Sequence, residues 1–536
     1  MLRTVLLSSA LVAGLFLSAK AQVVFTPAIA PLDVAVVDAT VARTLKAFDV
    51  PGIAVAVVKD GQVVMAKGYG VSSLATKAPM DANTLFGIAS NTKAFTAAAL
   101  GLLVEEGKLN WNDNVTDYIP EFKMYDPYVT AEFTVRDLLT HRSGMGLGAG
   151  DLMFFPDSTD FTIKDVIHNL RYFKPVSSFR SKYDYDNNLY LVAGEVVARV
   201  SGKSWAEFVE ARFLKPLGMN RTAPGFARLP DPTNVIDGHG PVDGRVQVVR
   251  RSLGTVDWAC GGMYSSVNDL SKWAMMLLGG PGAPPSLLKP QTQWQLWSPQ
   301  TILPVGPVPA AYVPFSYNTH FSAYGLGWFL RDVRGYKEVS HTGGQVGMVT
   351  KMTLLPELHL GIIVLTNQES GAAFTAITNT IEDHYLGMTG LDRVKFMADL
   401  TAASKSGDDK TTTEVWKQVA TAQKAASKRP DFKAFVGRYH DAWLGDVNIY
   451  AQGPQLWLKA QRSPRLVGQL MPYRGSTYVV RWKERSFNAD AFAAFALDEK
   501  GQATGLKMKA ISGLTDFSYD FHDLDLQRVP ETAAAQ

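Results

Sequence analysis

The 536-residue sequence predicts a unit of mixed helices and strands followed by a small all-β unit. Three observations carry this. Upstream of Gly387, short runs rich in β-branched and aromatic residues alternate with runs of helical periodicity. After Gly387 the composition shifts. Ser404 to Thr413 is polar and reads as a linker, and Glu414 to Lys428 is helical in pattern, so residues 389–429 form a helical linker. From Phe432 onward apolar residues recur with period two in short runs separated by turn residues, the pattern of a small barrel or sandwich over 430–532.

The N-terminus reads as a targeting segment over residues 1–21. Arg3 supplies the positive start, Val5 to Ser18 is apolar apart from small residues, and Ala19-Lys20-Ala21 has the small-x-small pattern of a cleavage site. Cleavage is expected between Ala21 and Gln22, leaving a periplasmic or secreted protein; a retained anchor helix is the alternative. No later segment is apolar for long enough to cross a bilayer, so no stable membrane insertion is expected once the leader is removed.

Next comes a hairpin, Ile53 to Val58 and Val63 to Ala66 around the Asp60-Gly61 turn signal. An apolar run from Thr84 to Ile88 then breaks into a helix. Phe95, Ala98, Ala99, Leu102 and Leu103 recur at helical spacing, and Gly107 follows as a C-terminal cap. Ser90 stands in the first turn, with Lys93 three residues on and on the same face. A serine hydroxyl needs a base within reach, and a lysine can be that base if burial lowers its pKa. A second Ser-x-x-Lys, Ser286 to Lys289, lies among Pro284, Pro285 and Pro290 in a loop that cannot align the pair.

Thr134 to Asp137 opens a short apolar segment in capping-box style and runs into His141-Arg142-Ser143-Gly144. His141 and Arg142 are expected to buttress the site; the competing reading pairs His141 with Ser143. Tyr185-x-Asn187 leads into a helical run from Leu191 to Val197, and Ser204 and Ser266 begin two further helices. Pro281 to Pro314 reads as one long loop. Tyr324 to Phe329, Met348 to Leu355 and Gly361 to Thr366 read as strands, His341-Thr342-Gly343-Gly344 lies between the first two, and Ala372 to Tyr385 reads as a helix.

The bulk numbers add limits. Hydrophobic content of 46% with 19% charged residues is that of a globular protein. A net charge of +3 without a basic block gives no reason to invoke nucleic acid. Cys260 is the only cysteine, which excludes an intrachain disulfide and suggests a buried structural thiol, with a catalytic thiol as the alternative.

Ser90-x-x-Lys93, Tyr185-x-Asn187 and His341-Thr342-Gly343 stand in the order of a known set. Together they resemble the class C β-lactamase-like serine hydrolases, the group that includes penicillin-binding-protein relatives, D-aminopeptidases and esterases. The resemblance covers about residues 30–388. It is supported by Leu138 to Gly144, Gly261 to Ser266 and Gly325 to Trp328. The C-terminal stretch looks like the lipocalin-like β domain appended to some of these enzymes. The resemblance implies an α+β, β-lactamase/transpeptidase-like fold: an antiparallel sheet flanked by helices, a helical region, and the site between them. It implies Ser90 as acylated nucleophile, with Lys93 and Tyr185 sharing general-base and general-acid work. Asn187 would hold the lysine and the substrate amide, His341, Thr342 and Gly343 would support substrate binding, and the backbone N–H groups of Ser90 and Gly344 would form the oxyanion hole.

Two features depart from the lactamase pattern. His341 stands where lactamases carry lysine, and it is mostly uncharged at neutral pH. Asp186 is charged where a small residue is common, and Tyr183, two residues before Tyr185 rather than an asparagine, is a decoy for the motif tyrosine. The expected activity is that of an exported serine hydrolase acting on short peptides, including those with D- or non-standard residues, or on small esters. A β-lactamase or D-alanyl-D-alanine carboxypeptidase is the alternative; a catalytically silent binding protein is the alternative of another class. No cofactor or metal is expected, and a homo-oligomer stays open. All site motifs precede residue 388, so residues 430–532 are expected not to supply the chemistry.

Overall fold

The computed structural model describes residues 31–254, 256–425 and 431–530; the leader and its cleavage point lie outside the described residues. Strands β1 (Gly52–Lys59) and β2 (Gln62–Gly70) form the hairpin read from sequence. Asp60 and Gly61 take φ of 52° and 76°, the left-handed pair that a two-residue turn requires. Six further strands complete an antiparallel sheet: β3 (Thr301–Leu303), β4 (Ser322–Tyr324), β5 (Phe329–Val333), β6 (Tyr336–Gln345), β7 (Met348–Leu355) and β8 (Leu360–Thr366). Their order across the sheet is β2-β1-β8-β7-β6-β5-β4-β3.

Strand β1 is buried nearly throughout because both faces of the sheet are covered. Ile53, Val55 and Val57 pack with Ile362 and Val364 against helices α1 (Val34–Ala47) and α5 (Gly371–Tyr385). Ala54, Ala56 and Val58 face the opposite layer, with α2 (Thr92–Glu105) and α4 (Val267–Leu278). Helix α2 is buried on every side from Thr92 to Leu103, as expected for a helix that is apolar all round. Phe95 stacks on Trp273 of α4 at 4.1 Å between ring centroids. Gly107, at φ 66°, closes α2. Helix α3 (Asn188–Ser201) packs on α2 in the helical region.

Three sequence readings change. The stretch from Pro281 to Pro314 is not one loop. Pro290 opens a short helix, Pro290–Leu296, where its missing N–H costs nothing, and β3 forms the far edge of the sheet. Tyr324 to Phe329 is not one strand but a turn between β4 and β5, closed by Gly325 N donating to Trp328 O, with Gly327 at φ 81°. The polar stretch Ser404 to Thr413 is helical, part of α6 (Arg393–Ala425). Its residues are mostly exposed, so polarity there marks a solvent-facing helix rather than a break, and Lys405 pairs with Asp409 one turn on.

The C-terminal unit is a closed barrel of β9 (Gly437–Asp441), β10 (Gly445–Gln452), β11 (Gln455–Ala460), β12 (Val467–Arg474), β13 (Thr477–Trp482), β14 (Ala491–Leu497), β15 (Ala503–Ala510) and β16 (Leu526–Arg528). In β11 the alternation is visible: Leu456 and Leu458 are buried, Gln455 and Lys459 exposed. The barrel is docked on the helical region. Phe173 meets Trp443 at 5.2 Å, Asn169 Nδ2 donates to Trp443 O, and the buried Arg465 pairs with Asp157. Among the described residues no helix is long and apolar enough to cross a membrane.

Candidate active site

Ser90 lies in a tight turn, Ala89–Asn91, immediately before α2, so the nucleophile is one step outside the helix rather than in its first turn. Ala89 takes φ 46°, a conformation that L residues rarely adopt and that clusters at functional sites. The turn is tied to the sheet. Thr350 Oγ1 of β7 donates to Ile88 O at 3.0 Å and accepts from Asn91 Nδ2 at 2.8 Å. Strand β6 presses on the same segment: a Cβ on Gly343 would lie 2.2 Å from Ile88 O, so only glycine fits. This explains the glycine of the His341-Thr342-Gly343 motif as a close approach between strand and nucleophile turn.

Lys93 is fully buried. Its Nζ lies 3.0 Å from Ser90 Oγ, 2.7 Å from Asn187 Oδ1 and 2.9 Å from Cys260 O. The amide oxygen and the carbonyl can only accept, so they occupy two N–H directions. The remaining tetrahedral direction points at Ser90. An ammonium fills it with a proton, and the neutral amine fills it with a lone pair aimed at the serine O–H. Burial pulls the Lys93 pKa down to about 8, opposed by Cys260, Asp151, Asp186 and Asp257 nearby.

Tyr185 is strapped beside it: its carbonyl accepts from Gly148 N at 2.8 Å, and Asp186 N donates to His141 Nδ1 at 3.2 Å. The His141 ring lies 4.1 Å from that of Tyr185. Burial pushes the Tyr185 phenol well above its ordinary range, with the Ser90 hydroxyl partly opposing this. His141 is held well below its ordinary value by burial and by Lys93. Ser143 donates to Asp186 Oδ2 at 3.1 Å, so its hydroxyl is engaged away from His141 and the buttressing reading fits the geometry. Burial raises Asp186 to about 8, which leaves this departure from the lactamase pattern largely uncharged at neutral pH.

His341 is buried and has both ring nitrogens engaged. Nδ1 pairs with Thr342 O at 2.6 Å, so it carries the proton, and Nε2 accepts from Tyr324 O–H at 2.9 Å. Burial, then Lys93, lowers its pKa to about 3. It is a neutral support for the wall, with no charge to offer a substrate. Thr342 and Gly344 line the same cavity as Ser90, Tyr185 and Asn187; its volume is about 300 Å³. Tyr183, Phe154, Phe155 and Phe329 give it aromatic walls, and Asp257 and Asp516 are its carboxylates. Among the described residues lining it there is no arginine or lysine. Cys260 also reaches the cavity, but its buried thiol is pushed up by desolvation and donates to Asp257 O, as a structural thiol would. In the second Ser-x-x-Lys, Ser286 Oγ bonds Leu288 O and Lys289 lies just before a separate helix, so the pair is not aligned.

Two parts of the site escape the sequence. Asp151 Oδ2 accepts from Asn187 Nδ2 at 2.7 Å; burial raises this carboxyl to about 7. The one local signal is the glycine-alternating run Gly146, Gly148, Gly150, all at positive φ, that delivers Asp151 to the floor. Phe517 and Ser518 of the barrel also line the cavity, with the Phe517 ring 5.7 Å from that of Tyr185. Residues 430–532 are expected not to supply the chemistry, yet the barrel contributes Phe517 and Ser518 to the wall of the cavity. Among the described residues, no group of three or more His, Cys, Asp or Glu is arranged to hold a metal.

Similarity to known proteins agrees with this geometry. Residues 421–528 match a domain of unknown function (DUF3471). The unguisins hydrolase ungD' of Aspergillus campestris is 30% identical over 360 residues, covering 65% of this chain and 64% of that protein. Protein flp of Staphylococcus aureus is 28% identical over 345 residues, 62% of this chain and 63% of that protein. The chain thus spans a little under two thirds of the length of these relatives. Among solved structures, the octameric penicillin-binding protein homologue from Pyrococcus abyssi superposes with a TM-score of 0.59 at 23% identity, covering 92% of this chain and all of that one. The D-amino acid amidase from Ochrobactrum anthropi SV3 gives 0.52 at 23% identity over 68% of this chain and 99% of that one. With residues 37–385 matching its family description, the chain belongs to the Beta-lactamase family, a family of serine hydrolases.

Proposed function

We propose that this protein is an exported hydrolase that cleaves small amides, short peptides or esters through an acyl-enzyme on Ser90. The observation that carries the reading is the buried Lys93 amine, 3.0 Å from Ser90 Oγ with its other two directions held by Asn187 Oδ1 and Cys260 O. In this scheme the neutral amine takes the Ser90 proton as the hydroxyl attacks the substrate carbonyl. The backbone N–H groups of Ser90 and Gly344 receive the oxyanion, a contribution that is often the largest in acyl transfer. Tyr185, a phenol at neutral pH, hands a proton to the leaving group, and water then attacks the ester at Ser90 with the same groups in reverse. Asn187 orients Lys93 and the substrate amide. The leader pattern at Arg3 to Ala21 supports export.

The cavity lining favours substrates without a carboxylate beside the scissile bond. It carries Asp257 and Asp516, its histidine is neutral with both nitrogens engaged, and its described lining holds no arginine or lysine. β-Lactams and D-alanyl-D-alanine peptides both present such a carboxylate, so both rank below neutral or amine-bearing amides and esters. The names of two similar proteins, an unguisins hydrolase and a D-amino acid amidase, support the hydrolase and amidase direction.

A substrate panel tests this: D-aminoacyl amides and short peptides, p-nitrophenyl esters, and a chromogenic β-lactam, each with wild type and Ser90→Ala. The expected result is turnover of amides or esters that vanishes in Ser90→Ala. A protein that turns over the β-lactam far better than every amide and ester contradicts the substrate reading, and activity retained by Ser90→Ala contradicts the mechanism.

A further inference from the structure

The loop joining β15 to β16, residues 511–525, reaches from the barrel to the floor of the site. Ser518 on this loop is 7% exposed, and its Oγ donates to Asp151 Oδ2 at 2.8 Å. The same carboxylate oxygen accepts from Asn187 Nδ2 at 2.7 Å. Asn187 Oδ1 accepts from Lys93 Nζ, which reaches Ser90 Oγ. Buried hydrogen bonds therefore run unbroken from a barrel hydroxyl to the reacting hydroxyl. Asp520, two residues on, holds the backbone on either side of Asp151, accepting from Gly150 N at 2.6 Å and Leu152 N at 3.3 Å.

We infer that Ser518 and Asp151 are positioning residues for the base, through which the C-terminal barrel fixes the Asn187 amide and thereby the placement and protonation of Lys93. Both roles rest on the reading of Lys93 as base to Ser90. An Asn side chain offers an oxygen on one side and an NH₂ on the other. An ionised carboxylate only accepts, so Asp151 draws the NH₂ to itself and leaves the oxygen for Lys93. A flipped amide would point N–H at the lysine and destroy its second acceptor. The Ser518 hydroxyl favours the ionised form of Asp151, and burial opposes it. The Asp151 charge in turn favours the protonated form of Lys93. Loss of the Ser518 hydroxyl should therefore neutralise Asp151 further and lower the Lys93 midpoint.

Other groups face this chain. Lys93 also feels Asp186, Asp257 and Cys260, lies over the rings of Tyr185 and Tyr190, and repels charge on His141 and His341. Asp151 faces Asp516 and Asp520. A change confined to Ser518 leaves all of them in place.

The test is an NMR titration of the full chain carrying ¹³C-labelled lysine, with the Lys93 signal assigned by its loss in Lys93→Met. Ser518→Thr and Ser518→Val have the same shape and differ only in the hydroxyl. Ser518→Val should lower the Lys93 midpoint by about half a pH unit or more, while Ser518→Thr stays at the wild-type value. In an Asp151→Asn background the Thr and Val forms should titrate alike. The proposal is overturned if Val and Thr titrate alike in the wild-type background, or if they differ equally with and without Asp151. The rate of Ser90 modification by a phosphonate at about pH 10, where the Lys93 amine is neutral in every form, is the second readout, with about a tenfold loss from a misplaced amine expected in Ser518→Val and none in Ser518→Thr. The titration needs no turnover. A wild-type Ser90 that never reacts would strike the hydrolase reading, while the titration would still decide the relay.

Discussion

At single residues, the chemistry turns on which group takes the Ser90 proton. Burial places Lys93 near 8 and drives Tyr185 well above its ordinary value. The neutral amine is thus the form within reach of neutral pH, and the tyrosinate is not. The acceptor is the deprotonated lysine, and its fraction grows as pH rises through about 8. The rate of acylation should therefore climb with pH through that range and level off above it. Lys93→Arg should fall by about 10²-fold or more and lose this limb, because a guanidinium does not deprotonate in proteins. Tyr185→Phe should lose about 10²-fold in kcat on amides, with a smaller loss on esters whose leaving groups need no proton. Steady-state kinetics from pH 6 to 10 on one amide and one activated ester check all three. Ser90, Lys93, Tyr185 and Asn187 were legible in the sequence because each motif is local and keeps its spacing on one turn or helix face. Asp151 and Ser518 were not legible: their bond joins positions 367 apart in the chain, and neither belongs to a short pattern.

Among the elements, the critical contact is between β6 and the nucleophile turn. Gly343 allows a strand backbone to lie against Ile88 and Ala89, where a Cβ would stand 2.2 Å from a carbonyl oxygen and 3.0 Å from the Ala89 Cβ. The nearest of these atoms is backbone and cannot yield as a flexible side chain would, and Thr350 Oγ1 stands 2.6 Å away on the other side. Gly343→Ala should push β6 off the turn, displace Gly344 from the oxyanion position and lower kcat by about 10²-fold. A destabilisation of about 1–3 kcal/mol should accompany it, measured by chemical denaturation. The hairpin at Asp60-Gly61, helices α2 to α5 and most barrel strands could be read because their periodicity or turn residues are strong. The helix at Pro290 and the turn Gly325–Trp328 could not. A proline cluster marks helix starts as well as loops, and Gly-x-Gly between aromatic residues reads equally as strand or turn until Lys93 O is found 2.8 Å from a Cβ on Gly327.

Taken whole, the molecule carries one apolar cluster that runs from the helical region into the barrel. Phe173 on Trp443, the Arg465–Asp157 pair and Arg462 over Phe161 at 3.8 Å all cross the junction. A chain ending near Met388 would uncover this face, leave Asp157 without its arginine and remove Ser518 from Asp151. Such a truncation should bind a hydrophobic dye, melt at lower temperature and lose at least about tenfold in kcat/KM even on small esters. A full-activity truncation would show that the barrel serves stability or larger substrates alone. The barrel itself was legible from period-two alternation after Phe432. Its reach into the site was not, since residues 511–525 carry no periodicity and their destination depends on how the two units dock.

Acylation of Ser90 with Lys93 as its base can be followed by labelling the intact protein with a fluorophosphonate and locating the adduct by peptide mass spectrometry across pH 6 to 10. A single adduct on Ser90 is expected, formed at a rate that rises through about pH 8 and is nearly abolished in Lys93→Arg. An adduct on Ser143, Ser286 or Ser518, or undiminished labelling of Ser90 in Lys93→Arg, would contradict it.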